Sequence, residues 1–125
     1  MAKRVLLAED EPNIVASLTF LLERAGFEVA SEMNGQTACD AALADPPDVM
    51  ILDVMLPGLD GMEILRRLRA DSRGCDLPVI ILTAKGQRED RAAEIGGGAD
   101  MFITKPFSNA EVIAAVRRLA DGAPG

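Results

Sequence analysis

The chain has no histidine, no tryptophan and no tyrosine. Without an imidazole it can form no Ser-His or Cys-His catalytic pair, and it has no histidine of its own to carry a phosphoryl group. Cysteine is nearly as scarce. Cys39 and Cys75 stand far apart, with no histidine or second cysteine beside either. Neither a disulfide framework nor a zinc site is expected, and both are read as free thiols. No apolar run approaches the ~18 residues that cross a bilayer, and the opening MAKRVLLAEDE meets acid before a signal-like hydrophobic stretch can form. The expectation is a cytoplasmic protein with no membrane contact. Bases are also in deficit: 13 Lys and Arg face 20 Asp and Glu, for a net charge of -7. Direct nucleic-acid binding is therefore not expected, since phosphate backbones are held mainly by clustered Lys and Arg. Any chemistry falls to carboxylates, hydroxyls and lysine.

What the chain does contain is alternation. Its 125 residues are 49% hydrophobic, enough to fill one core. A single domain over residues 1–121 is expected, with a flexible tail over 122–125. Short apolar or β-branched runs predict strands at RVLLA (Arg4 to Ala8), FEVAS (Phe27 to Ser31), DVMIL (Asp48 to Leu52), PVIIL (Pro78 to Leu82) and DMFIT (Asp100 to Thr104). Three of these runs are almost continuously apolar, as suits parallel strands buried on both faces.

Helical patterns lie between them. Ile14, Leu18, Leu21, Leu22 and Ala25 form one stripe, opened by Pro12 and stopped by Gly26. DGME (Asp60 to Glu63) and SNAE (Ser108 to Glu111) each place a capping residue three before a glutamate, which opens a helix. Weaker helices are predicted over Asn34 to Ala44 and Gly86 to Ile95, the second closed by three glycines.

Strands and helices in strict alternation predict a doubly wound, five-stranded parallel sheet of order 2-1-3-4-5 with helices on both faces. Ligands in such sheets bind beyond the carboxyl ends of the strands, at the switch between strands 1 and 3. Strand 1 ends in Glu9 and Asp10, and strand 3 in Asp53. Strand 4 ends in Thr83, and strand 5 in Thr104 and Lys105. Carboxylates ~4 Å apart repel by roughly 4 kcal/mol per pair at an effective dielectric of 20, so three together call for a cation. An all-oxygen donor set suits magnesium, which keeps several waters and commonly shares its site with a phosphate.

Each of these residues has a plainer use. Asp10 or Glu11 can cap the helix at Pro12, and Asp60 reads as a cap rather than a ligand. Thr83 alone is a strand terminus, Lys105 alone a solvated lysine, and the three glycines a helix stop. Plain uses do not explain why such groups recur at the ends of strands 1, 3, 4 and 5.

The segments LLAEDEP, ILDVMLPGLDGMEIL, PVIILTAK and GADMFITKPF resemble the landmarks of the receiver domain of two-component response regulators, in that family's spacing and across essentially the whole chain. The resemblance implies a flavodoxin-like (βα)5 fold. It implies that Asp53 accepts a phosphoryl group from a phosphohistidine of a histidine kinase or histidine phosphotransfer protein. Glu9 and Asp10 would be the acidic pair for Mg2+ or Mn2+, together with Asp53 and the backbone carbonyl of Met55. Lys105 would bind phosphate, Thr83 would be the switch hydroxyl and Phe102 the switch aromatic. Met55 and Lys85 would flank the site and tune the rate of autodephosphorylation. The Lys105-Pro106 bond would be cis.

Two departures accompany it. Glu9-Asp10 stands where the family more often has two aspartates, and Met101 where an acid is common. The expectation is a monomer, or a weak phosphorylation-dependent dimer, that signals to a downstream protein. The surface used would comprise the predicted helix over Gly86 to Ile95, the fifth strand and the last helix. The chain ends soon after that helix, so no output domain is expected within it. Two alternatives fit less well. An aspartate-nucleophile phosphatase wants a second acid two residues after the nucleophile, where Met55 stands. A flavodoxin-like cofactor binder wants a glycine- and hydroxyl-rich loop where this chain has AEDEP.

Overall fold

The computed structural model describes residues 2–84 and 98–121. Strands β1 (Arg4–Ala8), β2 (Glu28–Glu32), β3 (Val49–Asp53), β4 (Val79–Ala84) and β5 (Met101–Lys105) alternate with helices α1 (Pro12–Arg24), α2 (Gly35–Ala44), α3 (Gly61–Ala70) and α4 (Asn109–Ala120). The strands form one parallel sheet in the order β2-β1-β3-β4-β5, as the alternation predicted. The predicted helix over Gly86 to Ile95, Lys85, and the tail over 122–125 lie outside the described residues.

Period-two alternation sorts the strand side chains into two cores. Leu6, Met50, Leu52 and Ile81 pack with Ala38 and Ala42 of α2 and with Ile64 and Leu68 of α3. Val5, Leu7, Ile51, Ile80 and Leu82 face the other way, against Leu18 and Leu22 of α1 and Val112 and Val116 of α4. β3 is buried along its full length, which explains its unbroken apolar run. Ile51 at its centre has no solvent exposure. Ile51→Ala is therefore expected to cost about 2–5 kcal/mol, read as a lower urea midpoint at unchanged slope.

The helix punctuation acts as the sequence suggested. Asp60 Oδ1 accepts from the amides of Met62 and Glu63 at 2.8 and 3.0 Å, and Ser108 Oγ accepts from the Glu111 amide at 3.1 Å. Asn34 is the cap of α2 rather than its first residue.

β1 matches its apolar run, while β2 to β5 begin one residue after theirs and end one or two residues beyond them, so that β3, β4 and β5 take in the polar groups read as their ends. Parallel pairing continues until Asp53 lies opposite Leu82, Thr83 opposite Thr104, and Ala84 opposite Lys105. Asp53, Thr83 and Lys105 are thus fixed by the sheet ladder and do not hang from loops.

Candidate functional site at the carboxyl edge of the sheet

Among the described residues, Glu9, Asp53 and Thr83 are the buried polar or charged side chains, at 0, 5 and 1% exposure. All three lie at the carboxyl edge, and burying them there needs compensation. Lys105 supplies part of it. Its Nζ donates to Asp53 Oδ2 at 3.0 Å and stands 3.0 Å from Glu9 Oε1 in an ion pair. Asp53 Oδ1 accepts from the Met55 amide at 3.0 Å. The Lys105-Pro106 bond that follows is cis, as the resemblance implied.

Glu9 turns inward because the start of α1 offers it donors. Its Oε2 accepts from the amides of Asp10 and Glu11 at 3.0 and 3.1 Å, groups otherwise left without partners near a helix N-terminus. The plainer use of Asp10 or Glu11 as a side-chain cap is not taken up: Glu11 occupies the cap position without a side-chain cap bond. Asp10 is exposed and faces the same crevice, so that Glu9, Asp10 and Asp53 present carboxylate oxygens within 4.8 Å of one another.

These charges reshape one another. Burial, then the neighbouring Asp53 carboxyl, push the Glu9 carboxyl up to about 7, against the lowering effect of Lys105. For Lys105, burial acts downward, but pairing with Asp53 and Glu9 more than offsets it and the ammonium is held above its ordinary value. Three carboxylates and one ammonium leave the site short of positive charge, and the donors are all oxygen. That set fits a hard divalent cation such as magnesium.

A pH dependence follows. Glu9 is raised from 4.5 to about 7, so over that window the metal-free folded state holds a proton that the unfolded chain has released. Its contribution to stability is complete below 4.5 and is lost as pH rises through about 7. In chelator, the advantage of the wild type over Glu9→Gln is expected to shrink across that window, and Mg2+ is expected to restore it at the upper end. Thermal unfolding across pH checks this, and an advantage that grows with pH contradicts it.

The other predicted site residues are placed as follows. Thr83 Oγ1 is buried without a hydrogen-bond partner among the described residues, although an unpaired buried hydroxyl costs about 1–3 kcal/mol. Phe102 is half-buried, against the core shared with α2 and α3. Met55 is 59% exposed, and its amide contact with Asp53 is a role the sequence did not reveal. Pro57, Gly58 and Gly61 read in the sequence as a tight loop that brings backbone close to the site, and at Gly61 the approach is close: a Cβ there would come within 2.6 Å of the Asp53 carbonyl oxygen. Arg69 was missed too. It donates to the carbonyls of Gly98 (2.7 Å), Gly74 (2.9 Å) and Leu77 (2.8 Å) and pairs with Asp100, fastening α3 to the approach to β5. A lone arginine in an arginine-rich helix gives no signal of such a partner.

The family model for the response regulator receiver domain matches residues 5–117. A putative response regulator from Chloroflexus aurantiacus J-10-fl superposes with a TM-score of 0.89 at 30% identity, over 97% of this chain and 99% of that one. The signal receiver domain of a signal transduction histidine kinase from Syntrophus aciditrophicus gives 0.88 at 33% identity, over 97% and 92%. The receiver domain of sensor histidine kinase PA1611 from Pseudomonas aeruginosa PAO1 gives 0.86 at 30% identity, over 97% and 99%, and has a magnesium ion coordinated in its active-site cleft. Among the described residues, no helix of this chain is long and apolar enough to cross a membrane.

Proposed function

Since the chain belongs to the response regulator receiver domain family, the phosphoryl-accepting module of two-component systems, we propose that Asp53 is its phosphoacceptor. The carrying observation is the setting of that carboxylate: buried, one oxygen on the Lys105 ammonium, the other on the Met55 amide, beside two further acids. A receiver domain is not a conventional enzyme, but this one is proposed to promote its own phosphorylation and dephosphorylation.

In that reading an Asp53 oxygen attacks phosphorus of a phosphohistidine on a kinase or phosphotransfer protein. The P–N bond breaks, its electron pair returns to the donor imidazole, and Asp53 holds an acyl phosphate. Lys105 meets the charge of the transferring group, and the Met55 amide holds the nucleophile in orientation. Glu9, Asp10, Asp53 and the Met55 carbonyl would hold Mg2+ or Mn2+, which supplies charge neutralisation at the phosphoryl oxygens. Met55 and Lys85 are proposed to tune later hydrolysis. A cytoplasmic location accompanies this reading. The test is labelling by acetyl phosphate, followed by intact mass because the chain lacks Trp and Tyr. Magnesium-dependent uptake of one phosphoryl group supports the reading, and no uptake overturns it.

Output is proposed to run through Thr83 and Phe102. The Thr83 hydroxyl, without a partner among the described residues, gains acceptors when a phosphoryl group arrives, and Phe102 turns toward the space it leaves. Hydrogen bonds to charged groups contribute ~1.5–3 kcal/mol each, and three of them approach the ~5.5 kcal/mol that moves a population from 1:99 to 99:1. The face that changes is proposed to include β5 and α4, and a downstream protein docks there; the segment Gly86 to Ile95 expected to share it lies outside the described residues. Thr83→Ala is expected to take up phosphate at a rate within about tenfold of wild type, the low end of a positioning loss, yet to show no change in amide exchange over 98–120. Unaltered exchange changes in the variant count against this route.

A further inference from the structure

We propose that the turn Asn34–Gly35, between β2 and α2, is a positioning element for phosphoryl transfer. It would fix the loop Val54–Asp60 so that the Met55 amide stays on Asp53. The inference rests on the reading of Asp53 as phosphoacceptor, and extends it to residues that touch no reacting atom.

The loop leaves β3 at Asp53 and enters α3 at Gly61, and it is held at both ends. At its far end the Gly61 amide donates to the Val54 carbonyl at 2.9 Å. At its crown the Gly35 amide donates to the Pro57 carbonyl at 2.8 Å. Backbone then lies directly on backbone: a Cβ on Gly35 would run into the carbonyl group and nitrogen of Leu59. Those are main-chain atoms with no rotamer to retreat to, so the loop or the turn must move. The Asn34 carboxamide closes the other side. A Cβ on Gly58, whose φ is +87°, would lie 2.6 Å from Asn34 Nδ2. Asn34 is itself locked, because its Oδ1 accepts from the Gln36 amide at 2.8 Å as the cap of α2. The crown therefore rests on a rigid helix start.

What this support positions is Met55, two residues before Pro57. Its amide is bound to Asp53 Oδ1 at 3.0 Å, and its side chain is exposed, so packing of that side chain does not hold it. Displacing the crown releases the amide that bonds this oxygen. Helix propensity alone favours alanine over glycine at position 35, the first residue of α2, so a loss on Gly35→Ala reports the loop contact and not the helix.

The experiment compares wild type, Gly35→Ala and, as a control for backbone strain, Gly26→Ala. Gly26 has a φ of +100° with nothing within 4 Å of an added Cβ. Mg2+ affinity, acetyl phosphate labelling rate and thermal midpoint are measured for each. Gly35→Ala is expected to lose about 10–100-fold in Mg2+ affinity and labelling rate, the scale of a misplacement near 1 Å. Gly26→Ala is expected to lose thermal midpoint only. Labelling and Mg2+ binding by Gly35→Ala equal to wild type overturn the inference. A wild type that takes up no phosphoryl group overturns instead the reading of Asp53. Should Gly35→Ala not fold, amide exchange in the wild type decides. Mg2+ is expected to slow exchange at Gly35 together with Met55, and slowing at Met55 with none at Gly35 contradicts the coupling.

Discussion

Asp53→Asn is expected to lose phosphoryl uptake from acetyl phosphate by at least ~10³-fold while the chain stays folded, because an amide oxygen lacks the anionic lone pair that attacks phosphorus. The substitution also tests the surroundings of the nucleophile. Both partners of Asp53 are donors, the Met55 amide and the Lys105 ammonium, each at 3.0 Å. Asparagine offers one acceptor and one donor, so a donor is left facing a donor at a cost of about 1–3 kcal/mol. Against that loss, removing a negative charge beside Glu9 and Asp10 relieves repulsion in the metal-free protein. The variant is therefore expected to be near wild type in stability in chelator and to gain less from Mg2+. Intact mass and thermal unfolding read the two effects separately. Labelling of the variant at the wild-type rate contradicts the assignment.

Lys105→Met is expected to slow labelling by about 10²–10³-fold, the usual loss when one fixed charge-stabilising donor is removed. Methionine keeps the length of the side chain and deletes the ammonium that stands 3.0 Å from both Glu9 Oε1 and Asp53 Oδ2. Magnesium binding is expected to change in the opposite sense. With its positive neighbour gone the acid cluster attracts a cation more strongly, so Mg2+ affinity rises while transfer slows. The opposed signs distinguish a role toward the phosphoryl group from general damage to the site, which lowers both. Calorimetric titration with Mg2+ beside the labelling rate checks the pair, and a parallel loss of both contradicts it.

The parts of the fold that were legible are those that rest on local pattern. Unbroken apolar runs announced strands buried on both faces, and β3 is that case. Pro12, Asp60 and Ser108 marked helix starts because capping is a matter of a few neighbouring residues. The strand ends were less legible. Asp53, Thr83 and Lys105 read in the sequence as the last residues of their strands, but a polar residue at the end of an apolar run looks the same inside the ladder or beyond it. That pairing reaches Asp53 and runs through Thr83 to Lys105 came from the structure.

Within the site, the grouping of Glu9, Asp10, Asp53, Thr83 and Lys105 at one edge followed from strand order, and the resemblance named their roles. What escaped was orientation and long-range contact. That Glu9 is buried and Asp10 exposed depends on which carboxylate reaches the first amides of α1. The Met55 amide on the Asp53 carboxylate, and Gly35 lying on Leu59, are made by main-chain groups of Met55 and Leu59, whose side-chain types give no sign of them. Asn34 and Gly35 read in the sequence only as the start of a weak helix until Pro57 is placed against them.

The central claim is that Asp53, among neighbouring acids of similar chemistry, carries the phosphoryl group. Borohydride reduction tests it most directly, because it converts an aspartyl phosphate to homoserine and leaves free carboxylates untouched. The protein is incubated with acetyl phosphate with and without Mg2+, reduced, digested and mapped by mass. Homoserine at position 53, formed only in the presence of Mg2+, is the expected result. Modification at Asp10, a reduced Glu9, or an unmodified peptide around Asp53 contradicts the account.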